Sequence, residues 1–152
     1  MDAIFWGPEW TFPDNDELFR RLAAALEAES WVLDGNYTRT LPIKWERVDT
    51  VIWLDFSFPR TLYQALARAI TRVFTREELW PGTGNKESFS KLFSRDSIVW
   101  WTIKTHRRNR KKFIKYMLAD EYSFIKFIRL RSPAEAEGLL QKITNHQEWI
   151  VE

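Results

Sequence analysis

Cysteine is absent from this 152-residue chain, and glycine is scarce. The lack of cysteine excludes disulfide bonds and thiolate metal sites. The five glycines stand at positions 7, 35, 82, 84 and 138, and none is followed by Lys-Ser or Lys-Thr. The sequence therefore has no G-x-x-x-x-G-K-S/T loop, the usual backbone cradle for a nucleotide phosphate.

Long apolar runs are missing as well. None reaches the length of a transmembrane helix, and Asp2 and Glu9 interrupt the short apolar stretch at the N-terminus before a signal-peptide core can form. We therefore expect a cytoplasmic protein with no membrane partner. The apolar content of 45% and charged content of 29% suit a single folded domain over residues 1–152.

Charge is unevenly distributed along the chain. The stretch KTHRRNRKKFIK, from Lys104 to Lys115, carries seven basic residues and no acid. Because the net charge of the whole chain is +2, the rest of the sequence sums to −5. The basic block either forms a solvated helix face or meets an anion.

Apolar periodicity predicts an alternation of helices and strands. PDNDELFRRLAAALEAES begins with the capping-box pair Asp14 and Glu17 and continues as an amphipathic helix. WVLD, at 31–34, reads as a strand, followed by a loop through Pro42. DTVIWLDF, at 49–56, is continuously apolar before its acid, as in a strand buried on both faces of a parallel sheet.

The second half continues the alternation. The pattern from Arg60 to Arg76 predicts a helix with an apolar stripe and a basic front. The segment ELWPGTGNKES is predicted to be a loop, and a further helix is predicted from about Arg95 to Leu118. SFIKFIRL supplies a last strand, and a helix begins at Ser132-Pro133. With a short strand around residues 3–5, this order predicts a three-layer α/β fold with a parallel sheet and functional sites at the carboxyl ends of its strands.

Both apolar strands end on an acid, Asp34 in one and Asp55 in the other. Asp34 precedes Gly35, so it either caps a turn or points at a ligand beyond the strand end. Trp31 and Trp53 are predicted to be core residues. His106 and His146 have no second metal-binding side chain at ligand spacing, so neither is expected to bind a metal.

Five motifs follow one another along the chain: DAIFW, WVLDGNY, TVIWLD, Pro59-Arg60 with an arginine helix, and a Trp-Trp helix with a second arginine group. This ordered set resembles the adenylate-kinase-like topology modulation proteins. The likeness covers nearly the whole chain. It implies a P-loop nucleotide-kinase fold, ATP and magnesium as ligands, and phosphoryl transfer to a nucleotide or another small phosphate acceptor.

The resemblance also implies roles for individual residues. Asp34 would hold a magnesium-bound water, and Arg39 would replace the substrate arginine that follows the Asp-Gly pair, although it stands one residue further along than in adenylate kinases. Asp2, Trp6 and Arg60 are placed on the substrate side.

A lid is implied over about residues 77–110, with phosphate-binding arginines on either side of a cover loop. Arg68 and Arg72 would face the phosphates from one side, and Arg107, Arg108 or Arg110 from the other. Guanidiniums suit this role because they donate paired hydrogen bonds to phosphate oxygens. The two groups should then lie close together.

The chain differs from the family in lacking the P-loop sequence. It begins at the segment resembling the second strand, so the first, central strand and the Walker A loop are missing from the sequence. Three explanations are open: the given sequence starts downstream of the true start, the gene is a degraded remnant, or the shortened domain has been put to another use. We favour the first, because the other motifs follow in order. We expect the 152 residues to be inactive, with open sheet edges available for self-association.

Two alternatives belong to other functional classes. The first is a nucleic-acid-binding module that uses the basic block from Lys104 to Lys115, with Trp100, Trp101 and Phe113 for base stacking. The second is a non-catalytic protein that binds a partner through open sheet edges. Salt dependence separates them, because contacts to several phosphates weaken steeply with salt.

Overall fold

The chain adopts a mixed α/β structure in the computed structural model, which describes residues 1–88, 94 and 97–145. Its α-helices are α1 (Asp2–Phe5), α2 (Asn15–Ala25), α3 (Leu41–Trp45), α4 (Phe58–Thr75), α5 (Ile98–Met117) and α6 (Pro133–Thr144). Its strands are β1 (Thr50–Leu54) and β2 (Lys126–Leu130). Single 3-10 turns occur at Pro8–Trp10, Thr38–Thr40 and Asp120–Tyr122.

The two strands form a parallel sheet in the register Thr50↔Lys126 to Leu54↔Leu130. Backbone hydrogen bonds continue the pairing by one residue at each end, from Lys126 N to Asp49 O (2.7 Å) and from Asp55 N to Leu130 O (2.8 Å). Parallel neighbours need a crossover connection, and here the chain between them carries α4 and α5. The predicted strands at 49–56 and 123–130 are therefore confirmed, as is the prediction of a parallel sheet, and the structure adds that these two strands are neighbours.

The predicted strand at 31–34 is wrong. Trp31 and Leu33 are partly buried against the core while Val32 and Asp34 are exposed, which is the alternation of an extended chain. No described residue pairs with this segment in a ladder, so it is irregular. An apolar extended segment becomes a strand only when a neighbour takes its backbone hydrogen bonds.

Strand β1 is buried on one face, not on both as predicted. Trp53 is buried, whereas Ile52 and Leu54, on the opposite face, are 47% and 56% exposed. The continuous apolar run gave no indication of this difference, because it records side-chain type and not the number of layers that pack on the sheet.

Two further local predictions failed near the N-terminus. Residues 3–5 lie in the single-turn helix α1 and not in a strand. The predicted loop through Pro42 contains the short helix α3, in whose first turn proline is well tolerated because it needs no amide donor there.

The longer helices were well predicted. Asp14 caps α2 by accepting a hydrogen bond from Glu17 N (2.8 Å), and Leu18, Leu22 and Leu26 are buried. Ser132 caps α6 by accepting from Glu135 N, with Pro133 in the first turn. These signals are local in sequence, which is why they could be read without a tertiary structure.

The chain divides into two compact units, Met1–Val48 with Arg68–Ser94, and Asp49–Ala67 with Arg95–Glu152. Met1, Leu22 and Leu26 form a buried cluster in the first unit, and partly buried residues including Trp31 pack against it. The sheet belongs to the second unit, where Trp53 is buried as predicted. No helix of the described part combines the length and apolar character needed to cross a membrane.

Candidate functional site

Asp55 follows the last residue of β1, at the carboxyl end of the parallel sheet. Its side chain is 3% exposed, and a buried carboxylate is costly unless cations or hydrogen-bond donors compensate it. Two arginines from distant parts of the chain do so.

Arg129, on β2, donates from Nε to Asp55 Oδ2 at 2.8 Å and also from Nη2 to the same oxygen. Arg110, on α5, reaches the other carboxylate oxygen with Nε–Oδ1 at 3.1 Å. The Arg129 guanidinium also lies over the Trp53 ring, 4.8 Å from its centroid, and Trp53 stacks on Phe113. The three charged residues form what we call the Asp55 triad.

His106 lies one helical turn before Arg110 on α5 and fixes the same end of β1. Its Nε2 is 3.1 Å from the carbonyl oxygen of Phe56, and a carbonyl can only accept, so Nε2 carries the proton. Nδ1 is buried and has no hydrogen-bond partner among the residues that the structure describes. His106 and Arg110 thus dock α5 on the residues that follow β1.

Five of the six other Lys and Arg residues of α5 face solvent, and Lys112 is partly buried. Lys104, Arg107, Arg108, Lys111 and Lys115 are exposed, whereas Thr102 and Thr105 on the packed face are buried and donate their hydroxyls to the carbonyls of Ile98 and Trp101. Of the three arginines predicted to contact phosphate from this helix, Arg110 is bound to a carboxylate. Arg107 and Arg108 make no ion pair within the described residues.

The arginines of α4 are also exposed. Arg60, near its start, and Arg68 and Arg72 further along have no ion pair or hydrogen bond with any described side chain. Arg68 and Arg72 belong to the first unit and the α5 arginines to the second. The closeness of the two groups, which a lid requires, stays a prediction, and residues 89–93, 95 and 96 of the lid region lie outside the described part, as does His146.

Three predicted substrate-side residues meet in the first unit. Asp2 accepts a hydrogen bond from the Tyr37 hydroxyl at 2.8 Å, and burial together with this bond raises the pKa of Tyr37. The Arg39 guanidinium lies over the Phe5 ring at 5.0 Å and donates to Asn15. Trp6 contacts Phe5 edge-on, so Asp2, Trp6 and Arg39 surround one aromatic cluster.

That cluster continues into the predicted cover loop. Trp6 stacks on Trp80, with centroids 5.7 Å apart and an interplanar angle of 16°, and Trp10 is edge-on to both. One interpretation of the sequence makes the loop at 78–88 a mobile cover. The structure packs Trp80 of this loop among aromatic rings, and its role as a cover stays a prediction.

Asn85 is a residue that sequence reasoning missed. It is 2% exposed, donates from Nδ2 to Gly7 O (2.8 Å) and accepts from Trp10 N (2.9 Å). It thereby holds a turn in which Glu9 and Trp10 both have positive φ, at 53° and 61°. An asparagine in a glycine-containing loop is so common a turn residue that its pattern alone predicts only a turn.

Asp34 is exposed and precedes Gly35, whose φ is +137°. A Cβ at Gly35 would lie 2.5 Å from Met1 Cβ, so glycine is required there. No three His, Asp or Glu side chains of the described residues gather to hold a metal ion. Proteins commonly hold magnesium through one or two carboxylates plus substrate phosphates, so the role of Asp34 stays a prediction.

The described residues thus contain three candidate features. They are the buried Asp55 paired with two arginines at the end of β1, the exposed basic face of α5, and the aromatic cluster around Trp6. Comparison with known proteins adds no family assignment: no family model, curated protein or solved structure matches this chain.

Proposed function

We propose that this chain is a domain of the P-loop nucleotide-kinase type that has no phosphate-binding loop within its 152 residues. In this proposal β1 and β2 belong to the three-layer sheet of that fold, and the domain works in the cytoplasm on a nucleotide or another small phosphate ligand. The ordered set of motifs, from DAIFW to the Trp-Trp helix, supports the assignment.

The single observation that carries the proposal is the Asp55 triad. It places a charged side-chain network at the carboxyl end of a parallel strand, the end at which α/β sheets bind their ligands. The helix that supplies Arg110 also carries the other six cations of the basic block.

Exposed arginines supply the chemistry for phosphate binding. Phosphate oxygens accept paired hydrogen bonds from planar guanidiniums, and Arg60, Arg68 and Arg72 are not engaged by any carboxylate of the described part. Arg110 is the least suited of the predicted phosphate contacts, because releasing it would leave part of the Asp55 charge uncompensated.

Nucleotide affinity should be low. A charge-assisted hydrogen bond is worth roughly 1.5–3 kcal/mol before the costs of ordering and desolvation, and no backbone cradle or P-loop lysine adds to it. Two such contacts supply about 6 kcal/mol at best, a dissociation constant of about 40 μM, and the costs of ordering and desolvation raise it toward about 1 mM. We expect no measurable phosphoryl transfer from ATP to nucleoside monophosphates by the 152-residue chain.

Calorimetric titration with ATP, ADP and AMP, with and without magnesium, tests this proposal. The expected result is weak binding that strengthens with the number of phosphates. The double substitution Arg68→Gln with Arg72→Gln should lower ATP affinity about 30-fold or more, since each of the two lost charge-assisted contacts removes over 1 kcal/mol. Arg20→Gln with Arg21→Gln is the matched control, because these helix arginines of the same unit are paired with Glu17.

Two results would contradict the proposal. One is an absence of phosphate-dependent binding up to about 10 mM nucleotide, a concentration well above the expected dissociation constant. The other is equal loss of affinity in the two double variants, which would mean that only total charge matters. Tight, magnesium-dependent binding would contradict the absence of a built phosphate site.

A further inference from the structure

A continuous basic stripe runs along the solvent side of α5. Residues three, four or seven apart share a helix face, and this spacing joins one tryptophan to five cations, namely Trp100, Lys104, Arg107, Arg108, Lys111 and Lys115. From Lys104 to Lys115 the stripe is about 16 Å long at 1.5 Å per residue. Arg110 is turned away from it, toward Asp55.

The stripe has no compensating acid. None of its five cations forms an ion pair with a described residue, and the helix from Ile98 to Met117 contains no Asp or Glu. Burial and then the nearby positive charge of Arg108 lower the pKa of Lys112, which lies beside the stripe. Repulsion among these cations favours an anionic partner over bare solvent.

Two exposed tryptophans stand at the N-terminal end of the stripe. Trp100 and Trp101 are 40% and 48% exposed, and Lys104 Nζ lies 5.2 Å from the centroid of the Trp100 ring. An aromatic face beside a row of cations is the combination that binds an unpaired base and its phosphates. Phe113, which the sequence also suggested for stacking, is engaged by Trp53 at 5.5 Å.

The arrangement argues against two other anionic partners. A double helix keeps its bases stacked inside, so the tryptophans would find no base to stack on. A membrane-surface helix needs one apolar face, but the exposed Trp101 lies on the opposite side of α5 from the exposed Ile103 and Ile114.

We propose that the α5 stripe binds single-stranded nucleic acid, with Lys104, Arg107, Arg108, Lys111 and Lys115 on successive phosphates and Trp100 and Trp101 stacking on bases. The proposal does not rest on nucleotide-kinase ancestry, because it uses no residue of α4 and no strand-end acid.

Fluorescence anisotropy of a labelled single-stranded oligonucleotide, titrated with the full chain at several salt concentrations, tests the stripe. With four or five phosphate contacts, a plot of the logarithm of the binding constant against the logarithm of the salt concentration should have a slope of roughly −3. Arg108→Gln with Lys111→Gln should reduce that slope by about 1.4, two contacts' worth. Arg131→Gln with Lys142→Gln, exposed cations of the same unit outside the stripe, should leave it unchanged.

Stacking is tested separately from charge. Trp100→Ala should weaken binding roughly 10-fold without changing the salt slope, and Trp100→Phe should retain most of the affinity because a phenyl ring still stacks. Ile103→Ala, which removes another exposed apolar side chain of α5, is the control. Thermal unfolding of each variant, followed by circular dichroism, checks that the fold is kept.

Several outcomes would overturn the proposal. One is that the oligonucleotide does not bind at low salt, and another is that single-stranded and double-stranded oligonucleotides bind with equal affinity. A third is that a sulfated polysaccharide binds as tightly as the oligonucleotide and that Trp100→Ala does not change the affinity. Binding to anionic vesicles but not to the oligonucleotide would identify a membrane surface as the partner instead.

Discussion

At the residue scale, the Asp55 triad is the contact with the clearest energetic consequence. Asp55→Asn should lower the free energy of unfolding by about 3–5 kcal/mol, because it leaves Arg129, 23% exposed at its side chain, without its counter-charge. Arg110→Gln should cost less than about 1 kcal/mol, since its side chain is 48% exposed. Urea denaturation measures both, and equal losses in the two variants would contradict the unequal burial.

Tyr37 gives a prediction about alkaline pH. Burial, reinforced by the hydrogen bond to Asp2, raises the pKa of Tyr37 above 10, so the folded chain keeps this proton to higher pH than the unfolded chain does. Its stabilising contribution is therefore complete below pH 10 and is lost as pH rises through the raised pKa.

Tyr37→Phe should thus be less stable than the original chain by about 1 kcal/mol at neutral pH, because it loses the bond to Asp2. It should lose less stability than the original chain above about pH 10, the ordinary tyrosine pKa. Denaturant unfolding at neutral and alkaline pH measures the difference, and parallel losses in the two proteins would assign the alkaline effect to other groups.

At the element scale, Asn85 connects the loop that follows α4 to the turn between α1 and α2. Two consecutive residues with positive φ, Glu9 and Trp10, need surrounding contacts to hold them, and both side-chain hydrogen bonds of Asn85 end in this turn. The Trp6–Trp80 stack joins the same two segments.

Asn85→Ala should lower the free energy of unfolding by about 1–3 kcal/mol, because it takes a buried partner from the Gly7 carbonyl and from the Trp10 amide. The near-ultraviolet circular dichroism of the tryptophan stack should weaken with it. Asn85→Asp keeps the acceptor for Trp10 N but places a buried carboxylate oxygen against the Gly7 carbonyl, so it should cost at least as much. If Asn85→Ala left both stability and the tryptophan signal unchanged, Asn85 would not hold the loop.

At the scale of the whole molecule, the exposed apolar face of β1 favours association. Ile52 and Leu54 are half-exposed side by side, and the described part contains only two paired strands. Exposed apolar sheet faces and open edges promote contact with a second copy.

We expect the chain to self-associate as its concentration rises, and Ile52→Thr with Leu54→Thr to weaken association several-fold, because threonine suits a strand but is more polar. Light scattering coupled to size-exclusion chromatography measures the mass. Leu140→Thr with Ile143→Thr on α6 removes equally exposed apolar side chains and serves as the control. A monomer at every concentration, or the same effect of both double variants, would rule out this face.

The sequence by itself determined the features that depend on neighbouring residues. The caps at Asp14 and Ser132, the apolar spacing of α2 and the length of α5 involve residues three or four apart, so a short window contains the whole interaction. The runs at 50–54 and 126–130 were likewise recognised as strands from their own composition.

Only the tertiary structure decided which segments meet. Trp31 to Asp34 has the composition of a strand but no ladder partner among the described residues, whereas β1 has β2. Asp55 is 74 residues from Arg129, and Asn85 is 78 from Gly7, so no local pattern pairs them. A ladder, a buried ion pair and an exposed face are properties of contacts between distant segments, and the free energy that selects those contacts belongs to the packed chain.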